Sequence, residues 1–113
     1  MSYLTMQNIF DSAWKQAALK LRCVDPVENT CCYRSGSNKC FIGAVIPADK
    51  YSPKLEGRVG TAVLIELGLV RPGDDQTLGL VCEVQRIHDS APVCAWSEEL
   101  AELATKYKLV APE

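Results

Sequence analysis

Apolar residues recur at helical spacing in three parts of this chain, and this periodicity constrains the fold more than any other feature. The three parts are residues 6–21, 75–89 and 96–107. Residues three and four apart lie on the same face of an α-helix, so each part presents one apolar face. We therefore expect three amphipathic helices around one core. The core residues predicted from these faces are Phe10, Trp14, Ile87, Leu100 and Leu103.

The ends of these helices and one further helix can also be placed from the sequence. Thr5 precedes the first periodic segment and is a suitable N-cap, because its hydroxyl can accept an N–H of the first turn. Asp25-Pro26 stops any continuation, since a residue before proline avoids the helical region. A helical pattern resumes near Val59, and Gly68 is a suitable C-cap for it.

The middle of the chain has no helical period. Residues 31–34 and 39–41 flank Ser35-Gly36-Ser37-Asn38, which predicts a short hairpin with a four-residue loop. The apolar run 41–46 fits either a strand or a helix. Together these elements predict an α+β, mainly α fold in a single domain over residues 1–113, with four to five helices packed around a small β-hairpin.

Composition excludes several kinds of protein. The net charge of -2 argues against a nucleic-acid partner, which requires a dense basic surface. No apolar run approaches the roughly 20 residues of a membrane-spanning helix. The first residues lack the basic and apolar segments of a secretory signal, so we expect a cytoplasmic protein with reduced cysteines.

The six cysteines raise two alternatives. Cys31, Cys32 and Cys40 could hold a zinc ion, but their spacing fits no common zinc motif, and we expect neither a metal nor a cofactor. Cys40 could instead act as a thiolate nucleophile with His88, which is the single histidine. His88 lies at the edge of an apolar helix face. A packed histidine, bonded to a neighbouring backbone group or to Tyr51, is the interpretation we favour.

The segment Lys39–Gly57 and the adjacent hairpin form the predicted binding surface. It is an irregular stretch with a tyrosine, two prolines and alternating charge between helical regions, where binding residues are common. Arg34 offers a planar donor fork suited to carboxylate or phosphate. The predicted binding residues are Arg34, Lys39, Tyr51, Glu56 and His88. The alternative for Tyr51 is that it clamps the loop to the core, and we favour the clamp.

With these elements placed, the chain resembles a group of small, mostly uncharacterised proteins of tailed phages and bacterial prophages. Their pattern has a central motif and a second motif near the C-terminus. The central motif is carried by Cys32, Arg34, Lys39, Cys40, Ile42, Gly43, Ile46, Pro47, Tyr51, Pro53, Glu56 and Gly57. The second is carried by Val81, Gln85, Ile87, His88, Asp89 and Trp96. The resemblance brings no catalytic residue, cofactor or substrate, and implies an accessory protein in the bacterial cytoplasm.

The sequence and this resemblance lead to one expected function and two alternatives. We expect a non-enzymatic phage or prophage accessory protein that binds and modulates a bacterial host protein, in host takeover or counter-defence. The first alternative is a sponge that holds a small anionic nucleotide on the basic central segment. The second is the thiol-dependent enzyme using Cys40 and His88. The sequence leaves the oligomeric state open.

Overall fold

The computed structural model of the protein describes residues 3–19, 32–35 and 38–111. Within those ranges it contains four α-helices and one two-stranded antiparallel sheet. The elements in chain order are α1 Met6–Ala17, β1 Arg34–Ser35, β2 Asn38–Lys39, α2 Gly60–Glu66, α3 Asp75–Ser90 and α4 Trp96–Tyr107. The predicted α+β, mainly α architecture is confirmed. Among these helices none is long and apolar enough to cross a membrane.

Local capping chemistry sets where the helices begin. Thr5 is the N-cap of α1, as predicted: its hydroxyl accepts the N–H of Asn8 at 3.0 Å, and the Asn8 side chain accepts the N–H of Thr5 at 3.2 Å. Asp74 caps α3 by accepting the N–H and the hydroxyl of Thr77. These two bonds from Thr77 lower the pKa of Asp74. Gly68, just past α2, has a φ of 75°, which suits glycine at a helix end.

The core lies where α3 meets the other three helices. Phe10, Ile87, Leu100 and Leu103 are all buried in it, as the periodicity predicts. Trp14 departs from the prediction, since it is half-buried and packs against the edge of the core. Leu21, the last apolar position of the first periodic segment, lies outside the described residues.

The hairpin is present but shorter than predicted. Arg34 pairs with Lys39 and Ser35 pairs with Asn38, so the strands reach into the expected loop and leave residues 36–37 between them. Cys40 is outside β2, although its N–H still bonds to the Tyr33 carbonyl at 3.1 Å. The prediction of longer strands is wrong because the chain turns into a helical conformation immediately after Cys40.

The apolar run 41–46, which the sequence left open between strand and helix, forms a turn and the short 3-10 helix Gly43–Val45. This short helix packs against α1. Gly43 lets the short helix also approach the start of the hairpin, because a Cβ atom there would overlap the carbonyl oxygen of Tyr33 and lie 2.8 Å from the carbonyl carbon. A second 3-10 helix, Pro53–Leu55, brings the following loop back toward the hairpin.

Candidate binding groove

The carboxylate of Glu56 ties the loop before α2 to the start of the hairpin. Its Oε1 accepts the backbone N–H of Tyr33 at 2.8 Å, and its Oε2 accepts the backbone N–H of Arg34 at 3.2 Å. The hydroxyl of Tyr51 donates to the same Oε2 at 2.6 Å. Burial and this bond to Glu56 raise the pKa of Tyr51 to about 12. We call this set of four residues the Glu56 clamp.

Arg34 is turned into the protein. Its Nη2 donates to the carbonyl of Ile46 at 2.6 Å, and its guanidinium lies 4.7 Å from the centre of the Tyr51 ring. Lys39, in contrast, faces Arg34 across the hairpin and takes no part in the hydrogen bonds of the clamp. The structure thus brings together Arg34, Tyr51 and Glu56, and their hydrogen bonds hold the loop in place, which favours the clamp interpretation of Tyr51.

His88 lies in the core. Its side chain is buried between two aromatic rings, stacked on Trp96 with centroids 5.4 Å apart and edge-on to Phe41 at 5.1 Å. Trp96 donates its indole N–H to the carbonyl of Ile87 at 3.1 Å. His88 Nδ1 lies 2.8 Å from Asp89 Oδ1, whereas the hydroxyl of Tyr51, one partner we expected for it, donates to Glu56. The histidine therefore packs the α3–α4 contact and holds the Asp89 carboxylate.

A groove of about 420 Å³ opens beside the clamp, between the loop that leads into α2 and the outer face of α3. Its size falls in the range of small-molecule and peptide-anchor sites. Its lining residues are Cys32, Tyr33, Glu56, Gly57, Arg58, Val59, Gly60, Thr61, Val81, Cys82, Gln85, Arg86 and Asp89.

The groove carries charges of both signs. Arg58 is paired with Glu66 on α2, and Asp89 Oδ1 accepts the side-chain amide of Gln85 at 3.0 Å. Arg86 is exposed on α3. Arg86 and Asp89 are the charged groups that α3 contributes to the groove wall. A ligand that carries both a negative and a positive or donor group matches this wall.

Cys40 is placed for packing. It is buried, and its Sγ accepts the N–H of Gly43 at 3.1 Å and lies 3.6 Å from Gln85 Oε1. Burial raises the pKa of the Cys40 thiol to about 12, which keeps it protonated, whereas a nucleophile requires a thiolate. Cys40, Cys82 and Cys94 are free thiols.

The structure describes only two of the three cysteines in the zinc hypothesis, Cys32 and Cys40. Within residues 3–19, 32–35 and 38–111, no group of three or more His, Cys, Asp or Glu side chains is arranged to hold a metal ion. Cys31, one of the three ligands in that hypothesis, lies outside the described residues.

Sequence reasoning missed most of the groove. Cys82, Gln85, Arg86 and Asp89 follow one another at intervals of three, one and three residues, which places them along one stripe of α3. A polar stripe of this kind is the usual solvent face of an amphipathic helix. Only the position of the loop 56–61 beside it shows that this face is one wall of a groove.

The chain matches no protein-family model, no curated protein and no solved structure. The assignment of a function therefore rests on the geometry of the groove and on the motifs of the sequence.

Proposed function

We propose that this protein is a non-enzymatic accessory protein of a phage or prophage, which binds and modulates a bacterial host protein through the groove between the 56–61 loop and α3. The observation that carries the proposal is the groove itself, an open cavity of about 420 Å³ held in shape by the Glu56 clamp. The phage context comes from the central motif and the second motif of the sequence, and the setting in host takeover or counter-defence follows from that context.

A protein segment suits the groove better than a nucleotide does. Glu56 and Asp89 both line it, and their carboxylates repel the phosphates of a nucleotide. Arg58, which could offset them, is already paired with Glu66. A polypeptide can present an acidic side chain to Arg86 and a basic or amide side chain to Asp89, and its apolar parts can cover Val59.

The geometry also favours binding over thiol catalysis. The hydrogen bonds of the Cys40 thiol go to Gly43 and Gln85, and the ring of His88 is closed in by Phe41 and Trp96. A thiol–imidazole catalyst requires its two groups in mutual contact and reachable by a substrate. Arg34, Tyr51 and Glu56 then contribute by shaping the groove, and Lys39 pairs with Arg34 on the hairpin.

The proposal is tested by capturing partners from a bacterial lysate with matched charge-reversal variants. Arg86→Glu reverses a charge in the groove, and Lys50→Glu reverses an exposed charge on the 47–51 turn outside it. We expect Arg86→Glu to reduce the amount of a captured host protein by on the order of tenfold. Lys50→Glu should capture as much as the parent.

Equal capture by Arg86→Glu and the parent would place the binding surface elsewhere. The nucleotide-sponge alternative would be favoured if the parent protein retained no host protein but released an anionic small molecule on denaturation. Mass spectrometry of the denatured sample detects that molecule. Metal analysis of the same preparation tests the zinc alternative.

A further inference from the structure

A chain of hydrogen bonds runs from the buried Cys40 thiol to the Asp89 carboxylate on the groove wall. The thiol donates to Oε1 of Gln85 at 3.6 Å, and the amide nitrogen of Gln85 in turn donates to Asp89 Oδ1 at 3.0 Å. Nδ1 of His88 lies 2.8 Å from the same oxygen. Because a carboxylate oxygen accepts and does not donate, the proton of this contact belongs to Nδ1. Side chains inside the protein thus hold Asp89 in place.

Asp89 is accessible from the groove although it is held in this way. Its side chain is 38% exposed, whereas that of His88 is fully buried. Phe41 and Trp96 lie against the imidazole ring of His88, edge-on and stacked, and fix its direction. A carboxylate on such a rigid support binds a ligand at a lower entropic cost than one on a freely rotating side chain. The orientation of Asp89 is therefore set before a partner arrives.

The charges of the groove favour a cation at this position. Among the described residues that line it, Glu56 and Asp89 supply two carboxylates. Glu56 accepts hydrogen bonds from a hydroxyl and two backbone N–H groups, and these donors bring no positive charge. Of the two lining arginines, Arg58 is already paired with Glu66, and Arg86 remains to offset both carboxylates. A basic side chain therefore matches Asp89 better than an uncharged amide does.

We propose that Asp89 anchors a basic side chain of the bound protein, a lysine or an arginine, and that Gln85 and His88 are positioning residues that hold its carboxylate for this contact. The inference rests on the function proposed above, because it names the chemistry of the partner at the same groove. It also gives a role to residues of the second sequence motif, which that function left without one.

The experiment compares two small probes, acetyl-arginine amide and acetyl-citrulline amide, which differ in charge and are nearly equal in shape. NMR of isotope-labelled protein follows the amides of Thr61 and Gln85 as each probe is added. We expect the arginine probe to bind at least about threefold more tightly than the citrulline probe. Asp89→Asn retains an acceptor for Gln85 and His88 but should abolish this preference. Asp75→Asn, the same change at an exposed position of α3, should retain it.

Two measurements test the positioning roles. Gln85→Ala should bring the ratio of the two affinities toward one, because Asp89 loses a donor that orients it. The ring nitrogen signals of His88 should show the proton on Nδ1, and they should shift when the arginine probe is added but not when the citrulline probe is added. A histidine that only packs the core would not respond to either probe. An unchanged ratio in Gln85→Ala, or a silent His88 ring, would overturn these roles.

Arg86→Glu separates this inference from the proposed function. It should bind the arginine probe at least as tightly as the parent, because it removes a positive charge from the groove, although it loses the host protein. Equal capture of the host protein by Arg86→Glu and the parent would contradict the proposed function, while a preference for arginine at Asp89 would still stand. The inference is overturned if the two probes bind alike, if neither moves the groove amides, or if Asp89→Asn keeps the preference.

Discussion

The helical core and the hairpin–loop region of this protein are held together in different ways. In the core, many apolar side chains from all four helices of the described chain are buried against one another. In the hairpin–loop region, one carboxylate, that of Glu56, accepts hydrogen bonds from Tyr33, Arg34 and Tyr51. Apolar residues of the second region, such as Phe41 and Ile42, also join this core, but three hydrogen bonds between its hairpin and its loop converge on one residue.

This difference bears on function, because the groove lies where the two regions meet. One wall belongs to α3, which the core holds rigid, and the other belongs to the loop that Glu56 fixes. A substitution in the core is expected to lower the stability of the whole protein, whereas loss of the clamp should loosen one wall alone. The following predictions test this distinction, beginning with the largest expected effect.

Gly43→Ala should have the largest effect, because Gly43 lies directly against the backbone of Tyr33 at the start of the hairpin. The added methyl group would overlap the backbone carbonyl of Tyr33, and a backbone atom cannot move aside as a side chain can. We expect a loss of free energy of unfolding on the order of 4 kcal/mol, measured by urea titration. A loss below about 1 kcal/mol would show that the hairpin does not approach Gly43 so closely.

Leu103→Ala should show the cost of a cavity in the core. Leu103 lies on the buried face of α4, and we expect its replacement to lower the free energy of unfolding by about 3 kcal/mol. Val110→Ala is the matched control, because Val110 is an exposed aliphatic residue just past α4 and should lose less than about 0.5 kcal/mol. Similar losses in the two variants would contradict the assignment of the buried face of α4.

Glu56→Ala should cost about 2 kcal/mol, because it leaves the N–H groups of Tyr33 and Arg34 without their acceptor. Glu66→Ala removes another glutamate, whose ion pair with Arg58 lies at the surface, and should cost less than about 0.5 kcal/mol. Urea titration of both variants makes the comparison. Equal losses of free energy of unfolding in Glu56→Ala and Glu66→Ala would mean that the clamp contributes no more than the surface ion pair.

Alkaline pH should weaken the core through Cys40. Burial raises the pKa of its thiol to about 12, from an ordinary value of 9.0, so between these values the folded state binds more protons than the unfolded state. Stability from this group is complete below about pH 9 and falls as the pH rises, by about 1 kcal/mol per pH unit. The free energy of unfolding of Cys40→Ala should decline less steeply from pH 9 to 11 than that of the parent. If the free energy of unfolding declined equally steeply with pH in Cys40→Ala and the parent, Cys40 would not be buried.

The sequence predicted the core region better than the clamp region, for a physical reason. Helical periodicity is local, so the spacing of residues such as Phe10 and Leu103 predicts the buried face directly. The clamp depends on contacts between residues more than 20 positions apart, as between Glu56 and Tyr33. The sequence identified Arg34, Tyr51 and Glu56 as notable residues, but their hydrogen-bond partners required the fold.

The groove was harder to predict from the sequence than the clamp. Arg86 and Asp89 look like ordinary solvent-facing residues of an amphipathic helix, and no spacing rule indicates that a distant loop lies opposite them. The β-strands were also predicted to be too long, since residues 40–41 have side chains suited to a strand but lie where the chain turns into the short helix Gly43–Val45.

Hydrogen exchange at the amides of Tyr33 and Arg34 tests the central claim, that the Glu56 carboxylate ties the start of the hairpin to the loop before α2, most directly. Both amides donate to Glu56, so in the parent protein NMR should find them protected. In Glu56→Ala their protection should be lost, while buried α3 residues such as Val84 keep more than the hairpin amides do. Glu66→Ala should leave all of these amides unchanged. Unprotected Tyr33 and Arg34 amides in the parent, or an equal loss at Val84 in Glu56→Ala, would contradict the account.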